Sequence, residues 1–247
     1  MKLLYLAVTN DCNLKCIYCY ACKGKDYMKF STAKKVIEKY DCIKVQFTGG
    51  EPLLNYKLVK KLAENYECRF AIQTNATLLD EEKIEEMLDL GISIAVSIDA
   101  PRLVNDILRP YANGEGSTRD VLRAMMLLKS YNVDYGVTCV VTPYNQRYLK
   151  EFVDLAYAFG ARSISFDIVK QVGKAKKMPL PDIKYVKEAI DYAKRYRLRF
   201  RNILKESLSL ECAAMSGRAV FVTPLGKEYF TCPTLAYSKI EKCPRLC

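Results

Sequence analysis

The sequence predicts an α/β fold: a partial (β/α)6 barrel of parallel strands, followed by a small C-terminal β-hairpin and loop domain. Three observations carry this. Short apolar runs alternate with helical periodicity six times before residue 168. Runs such as 94–98 and 137–141 are apolar at successive positions, as in a parallel sheet covered by helices. After Asp167 the alternation gives way to a basic, proline-broken and cysteine-rich tail.

Taken in order, 3–8 is an apolar strand ending in Thr9-Asn10-Asp11, and a cysteine-bearing loop leads to a helix over 31–40, with Ala33, Val36, Ile37 and Tyr40 at helical spacing. Strands follow over 43–47, 69–73, 92–98, 135–141 and 163–168, separated by helices over 56–65, 81–88, 118–131 and 148–159. Residues 170–177 form a basic loop, Met178-Pro-Leu-Pro181 breaks the chain, and 182–195 reads as a helix. Residues 195–201 alternate basic and apolar, which predicts a strand with one cationic face, also readable as a solvated edge. Residues 220–223 and 229–231, joined by Pro224-Leu-Gly-Lys227, form a hairpin. The expected domains are 1–178 (barrel), 179–205 (bridging helix and strand) and 206–247 (cluster-binding tail).

The chain has 247 residues, half of them apolar, enough for a core that needs no disulfides. It contains no histidine, which excludes imidazole acid-base catalysis, Ser-His and Cys-His pairs, and histidine-ligated zinc or haem. Eleven cysteines stand in a chain whose N-terminus is too short for a signal h-region and which has no membrane-length apolar run. A cytoplasmic location is expected, where clustered cysteines more often hold metal than form disulfides. With 39 basic and 28 acidic residues the net charge is +11. That reads as a lysine-rich solvated surface or as complementarity to an acidic or polyanionic partner.

Cys12, Cys16 and Cys19 are spaced C-x3-C-x2-C after the first strand. Three thiolates this close can ligate three corners of a [4Fe–4S] cluster and leave one iron open to a chelating ligand. Cys22 either completes a four-thiolate set or stands by. Further on, Gly49 and Gly50 let the backbone approach a ligand closely, and Glu51 with nearby carbonyls can accept from an ammonium. Ser97 and Asp99 share one side of a strand end. Asn75 and Arg109 are further candidates, the guanidinium because it matches a carboxylate in a bidentate pair. Plainer readings stand beside these: a turn at Gly49-Gly50, a helix cap at Asp99, a surface ion pair at Arg109, simple packing of Tyr18.

Together, the Cys12–Cys19 motif with an aromatic before its last cysteine, Thr48-Gly-Gly-Glu-Pro-Leu53, Thr74-Asn75 and Ser97-Ile-Asp99 resemble the radical S-adenosylmethionine (SAM) superfamily, over roughly residues 3–170. The resemblance implies an open-site [4Fe–4S] cluster on Cys12, Cys16 and Cys19. SAM would meet Gly49, Gly50 and Glu51 at its amino group, Ser97 and Asp99 at its ribose and carboxylate, and Tyr18 at its adenine. Reductive cleavage of SAM to methionine and a 5′-deoxyadenosyl radical, which takes a hydrogen atom from substrate, is the implied chemistry.

Cys212, Cys232, Cys243 and Cys247 suggest a metal staple of zinc or a second [4Fe–4S] cluster in a tail with little core of its own. Beside such a barrel, Cys212, Gly226 and Cys232-Pro resemble the SPASM or twitch auxiliary-cluster extension. Four cysteines instead of seven imply one auxiliary cluster, with electron acceptance favoured over a structural role. Cys42, Cys68 and Cys139 are expected as packing residues.

The leading expectation is an oxidising or cross-linking maturase acting on a peptide or protein side chain, reduced by an external one-electron donor such as ferredoxin or flavodoxin. Dehydrogenation of a small polyol or aminosugar is the alternative. An RNA-modifying enzyme or RNA-binding protein would use the charge but lacks an aromatic signature beyond Tyr196 and Phe200, so nucleic acid is not favoured. A non-enzymatic iron–sulfur carrier would leave the glycine-rich and Ser-x-Asp strand ends unexplained. With the sequence read as starting directly at the first strand, any leader recognition is expected to need a separate partner or the basic edge at 195–201.

Overall fold

The computed structural model describes residues 3–21, 23–40, 44–200 and 218–238. Its strands and helices follow the chain as β1 (Leu3–Thr9), α1 (Phe30–Tyr40), β2 (Lys44–Gly49), α2 (Tyr56–Asn65), β3 (Arg69–Thr74), α3 (Glu81–Asp89), β4 (Ser93–Ser97), α4 (Arg102–Leu108), α5 (Thr118–Ser130), β5 (Gly136–Val141), α6 (Leu149–Ala158), β6 (Ser163–Ile168), α7 (Ile183–Ala193), β7 (Arg199–Phe200), β8 (Ala219–Val222), β9 (Glu228–Tyr229) and α8 (Pro233–Ser238). The strands form one open sheet in the order β7-β6-β5-β4-β3-β2-β1-β8-β9. Every neighbouring pair is parallel except β8 with β9. This is the partial barrel expected of the strand–helix alternation.

The two faces of the sheet differ in chemistry. Leu4, Leu6, Val45, Phe47, Phe70, Ile72, Ile94, Val96, Val137 and Ile164 join the main apolar core with the helices. Phe47 and Phe70 stack there on adjacent strands, with ring centroids 5.4 Å apart. Helices present their i, i+3, i+4 residues to this layer: Ala33, Val36 and Ile37 from α1, Leu58, Val59 and Leu62 from α2. The alternate strand positions form the inner face. There Gln73 Nε2 donates to Ser97 Oγ (2.8 Å) and Thr138 Oγ1 donates to Gln73 Oε1 (3.4 Å), a polar row across β3, β4 and β5.

One expectation about the later chain is corrected and one is extended. Residues 195–201 do not form a seven-residue strand: Lys194–Tyr196 is a 3-10 turn, Arg197 has φ 54°, and among the described residues of the segment, which end at 200, only Arg199–Phe200 pairs with β6. Here the basic-apolar alternation reflects a turn that packs Tyr196 against Tyr157, at 4.5 Å between centroids. The hairpin at 220–231 is present, but it continues the main sheet, because β8 pairs with β1 in parallel register from Leu3↔Ala219 to Leu6↔Val222. The remainder of the tail, with Cys212, Cys243 and Cys247, lies outside the described residues, as do Cys22 and Cys42.

Candidate active site

The candidate site lies where the loops leaving β1, β2, β3 and β4 meet at the C-terminal edge of the sheet. The loop after β1 carries the three cysteines and is held by its neighbours. Lys15 N donates to Pro110 O (2.7 Å), Ile17 N to Leu108 O (3.0 Å) and Lys174 N to Cys19 O (3.0 Å). Leu14, Cys16, Tyr18, Leu108, Val169 and Ala175 bury one another in a small core beneath it, apart from the main one. Cys16 is buried, Cys12 and Cys19 half-buried.

Gly49 and Gly50 explain why β2 ends as it does. Gly50 N donates to Thr9 O and Glu51 N to Asp11 O, both at 2.8 Å, so this loop lies against the start of the cysteine loop. A Cβ at Gly49, where φ is +140°, would collide with Thr9 O, and one at Gly50 with Asp11 O. The backbone contact therefore requires glycine at both positions. These residues form more than a plain turn.

Glu51 is buried, and its carboxylate is fully engaged. Oε1 accepts from Thr74 Oγ1 (2.6 Å) and Leu53 N (3.0 Å), and Oε2 from Asn75 N (2.7 Å). Burial pushes its pKa up, while these three donors pull it down. Its side chain fastens the ends of β2 and β3 together, leaving backbone atoms of the loop as the groups that could meet an ammonium. Asn75 donates from Nδ2 to Asn13 Oδ1 (2.9 Å), and Thr77 donates to Asn75 Oδ1, which ties the cysteine loop to the end of β3.

At the end of β4, Asp99 is wholly buried. Tyr18 Oη donates to Asp99 Oδ2, Arg109 Nη1 donates to Tyr18 Oη (2.5 Å) and stands 3.5 Å from Asp99 Oδ2, and Val140 N donates to Asp99 Oδ1 (2.8 Å). The Asp99 backbone is held as well, its N–H by Asn105 Oδ1 and its carbonyl by Asn145 Nδ2, both at 2.9 Å. Burial works against charge on Arg109, but Tyr18 and Asp99 hold its proton on. Arg109 is no surface ion pair, and Asp99 caps no helix, since Pro101 precedes the first turn of α4. Tyr18 does pack, and its hydroxyl also links the cysteine loop to β4. Asn13, Asn105 and Asn145 were not singled out by the sequence, since an isolated asparagine carries no spacing signal.

Among the described residues no three Cys, Asp or Glu side chains are gathered as a site for a single metal ion. A four-iron cluster makes a different demand, because each thiolate binds its own iron and the sulfurs stand apart. The residues present fit that group. They supply three thiols on one clamped loop, and burial pushes the Cys12 thiol up to about 11 against the opposing pull of Lys23, so a metal would take the place of a firmly held proton. They also supply the buried Arg109 Nε, a donor without a partner.

Comparison with known proteins agrees with this geometry. Residues 6–156 match the radical SAM superfamily, and the chain belongs to that superfamily. An uncharacterised protein of Methanocaldococcus jannaschii is 44% identical over 95% of this chain and 86% of its own length. The cysteine-type anaerobic sulfatase-maturating enzyme of Clostridium perfringens is 28% identical over 61% of this chain and 47% of its own, so the chain matches under half of that relative. Among solved structures, Streptococcus suis SuiB bound to the precursor peptide SuiA superposes with a TM-score of 0.77 at 15% identity, over 98% of this chain and 62% of SuiB, a likeness of fold. No helix of the described residues is long and apolar enough to cross a membrane.

Proposed function

We propose that the protein reductively cleaves SAM and takes a hydrogen atom from a peptide or protein side chain, oxidising or cross-linking it. The observation that carries this reading is the meeting of the cysteine loop with the Gly49-Gly50 loop, beside a buried arginine with an unpartnered nitrogen. In this reading Cys12, Cys16 and Cys19 hold a [4Fe–4S] cluster with one open iron. The bound cluster and SAM together supply one-electron reduction and a primary carbon radical.

The chain's own groups then have defined tasks. Backbone carbonyls at Gly49 and Gly50 would accept from the methionine ammonium. Arg109, whose Nε has no partner, would meet the carboxylate, Ser97 would meet the ribose, and Asp99, its oxygens taken by Tyr18, Arg109 and Val140, would hold the groups around that position, while Asn75 braces the cysteine loop. Tyr18 would present its backbone to the adenine while its side chain holds Asp99. The apolar seam of Leu14, Leu108 and Val169 keeps water from the loop, as radical chemistry requires. The polar row of Gln73, Ser97 and Thr138 gives the inner face hydrogen-bonding groups for a peptide, in keeping with the sulfatase-maturating relative and with the peptide bound by SuiB. The tail cysteines Cys212, Cys232, Cys243 and Cys247 would hold a second [4Fe–4S] cluster that accepts the electron left on the substrate; Cys232, half-buried, is the one among them that the structure describes. The thiol count favours a reducing, cytoplasmic setting.

The test is product analysis. The reconstituted protein, reduced and given SAM, should release 5′-deoxyadenosine and methionine, and the variant with Cys12, Cys16 and Cys19 all changed to alanine should release neither. Deoxyadenosine from the triple variant would refute the site assignment.

A further inference from the structure

The two halves of the cysteine loop are fastened differently. Lys15 and Ile17 donate their backbone N–H groups to the carbonyls of Pro110 and Leu108. Cys12 and Leu14 donate theirs to side chains within the loop, Cys12 N to Asp11 Oδ1 at 2.9 Å and Leu14 N to Cys12 Sγ at 3.4 Å. Asn13 stands between these two, and its side chain reaches out of the loop to the end of β3. Asn13 Nδ2 donates to Thr77 Oγ1 (2.7 Å), Thr77 Oγ1 donates to Asn75 Oδ1 (2.8 Å), and Asn75 Nδ2 donates back to Asn13 Oδ1 (2.9 Å). The three side chains close a ring in which every hydrogen bond runs the same way round.

Such a ring strengthens its own bonds, because each group that donates is polarised by the donor it accepts from. It also stands on a backbone held against preference. Ala76, wholly buried and between Asn75 and Thr77 in the chain, has φ +61°, a left-handed conformation that disfavours a residue carrying a Cβ. The turn is fixed from beneath: Ala76 N donates to Thr74 Oγ1 (2.9 Å), Thr77 N to Asn75 Oδ1 (3.0 Å), and Glu51 accepts from Thr74 Oγ1 and Asn75 N. Strain that persists in a buried turn points to a position whose side chains must be placed exactly so for function. Here those side chains hold the residue next to Cys12.

We propose that Asn13 and Thr77 are positioning residues for the Cys12 thiolate: their ring fixes the turn at 12–14 so that the Leu14 N–H stays aimed at Cys12 Sγ. The inference rests on the reading that Cys12, Cys16 and Cys19 hold a redox cluster. A hydrogen bond to a ligating sulfur draws electron density from it and makes the cluster easier to reduce. The ring therefore serves a bound cluster in two ways. It keeps Cys12 in place as a ligand, and it raises the reduction potential. Asn75 completes the ring from the end of β3.

The test compares the reconstituted protein with Thr77→Val, which keeps the shape of the side chain and removes its hydroxyl, and with Thr77→Ser, which keeps the hydroxyl. The signal followed is the electron paramagnetic resonance signal that responds to SAM. Its decay after addition of the ferrous chelator bathophenanthroline disulfonate reports loss of the cluster, and its growth in a dithionite titration gives the midpoint potential. Thr77→Val should lose the cluster about tenfold faster and show a more negative midpoint potential, while Thr77→Ser matches the parent protein in both. Asn13→Ala, at a half-buried position, should behave as Thr77→Val does, and the double variant should be little worse than either, because each opens the same ring. Parent-like decay and potential in Thr77→Val would overturn the proposal. So would a Thr77→Ser variant that behaves like the valine variant, since the hydroxyl would then not be the group that matters. If urea unfolding of the cluster-free protein shows that Thr77→Val does not fold, Asn13→Ala decides by the same two readouts. A parent protein that gives no SAM-responsive signal would instead count against the reading of the cysteines.

Discussion

Arg109 donates from Nη1 to the Tyr18 hydroxyl at 2.5 Å, joining the segment after α4 to the middle of the cysteine motif, and both reach the buried Asp99. Removing the arginine leaves a carboxylate buried without its counter-charge. Arg109→Ala should cost about 3–5 kcal/mol in urea unfolding of the cluster-free protein. Tyr18→Phe, which removes one hydrogen-bonding group, should cost about 1–2 kcal/mol. Equal and small losses for both variants would show that the three groups do not act as a unit.

Glu51 should tolerate no substitution well. Alanine leaves Thr74 Oγ1, Asn75 N and Leu53 N without their acceptor, and a loss of at least about 2 kcal/mol follows. Glutamine keeps the shape but turns an NH2 group toward a donor, so it should recover only part of that loss. Complete recovery in a denaturant titration would mean that the carboxylate charge is not needed there.

Asp80 caps α3, accepting from Lys83 N at 3.0 Å and from Lys83 Nζ. Burial nudges its pKa up, but the two hydrogen bonds and the lysine charge outweigh that and hold it below 3.8. A depressed acid stabilises the fold above its unfolded pKa and loses that contribution as pH falls through its folded one. Asp80→Ala should therefore cost about 1 kcal/mol at neutral pH, and the gap from the parent protein should close below about pH 4. A gap that persists at lower pH would assign the effect to something other than the ionised cap.

If the tail cysteines hold a second cluster, the anaerobically reconstituted protein should carry about eight iron atoms and eight acid-labile sulfides per chain, and the Cys12, Cys16, Cys19 triple variant about four of each. Four in the parent protein would remove the proposed electron acceptor.

Much of this architecture was legible in the sequence because two periodicities stayed separate. Strand β6 and helix α2 fall on the bounds that their patterns predict, and the loop glycines mark where β2 meets the cysteine loop. Helix α4 was not legible, because its pattern is inverted: Leu103 and Ile107 face solvent, while the polar Asn105 is buried to hold Asp99 N and Thr118. The pairing of β8 with β1 was equally hidden, since a partner more than two hundred residues away leaves no local trace. In the site, residue types were readable but tasks were not. Glu51 read as an ammonium acceptor, yet its carboxylate is taken up by Thr74, Asn75 and Leu53.

The most direct test of the central claim is electron paramagnetic resonance of the reduced, reconstituted protein with and without SAM. A [4Fe–4S] cluster held by Cys12, Cys16 and Cys19 with its fourth iron open should give a signal whose g-values shift when SAM is added, and the shift should be absent from the triple variant. A cluster signal that SAM leaves unchanged in the parent protein would contradict the account.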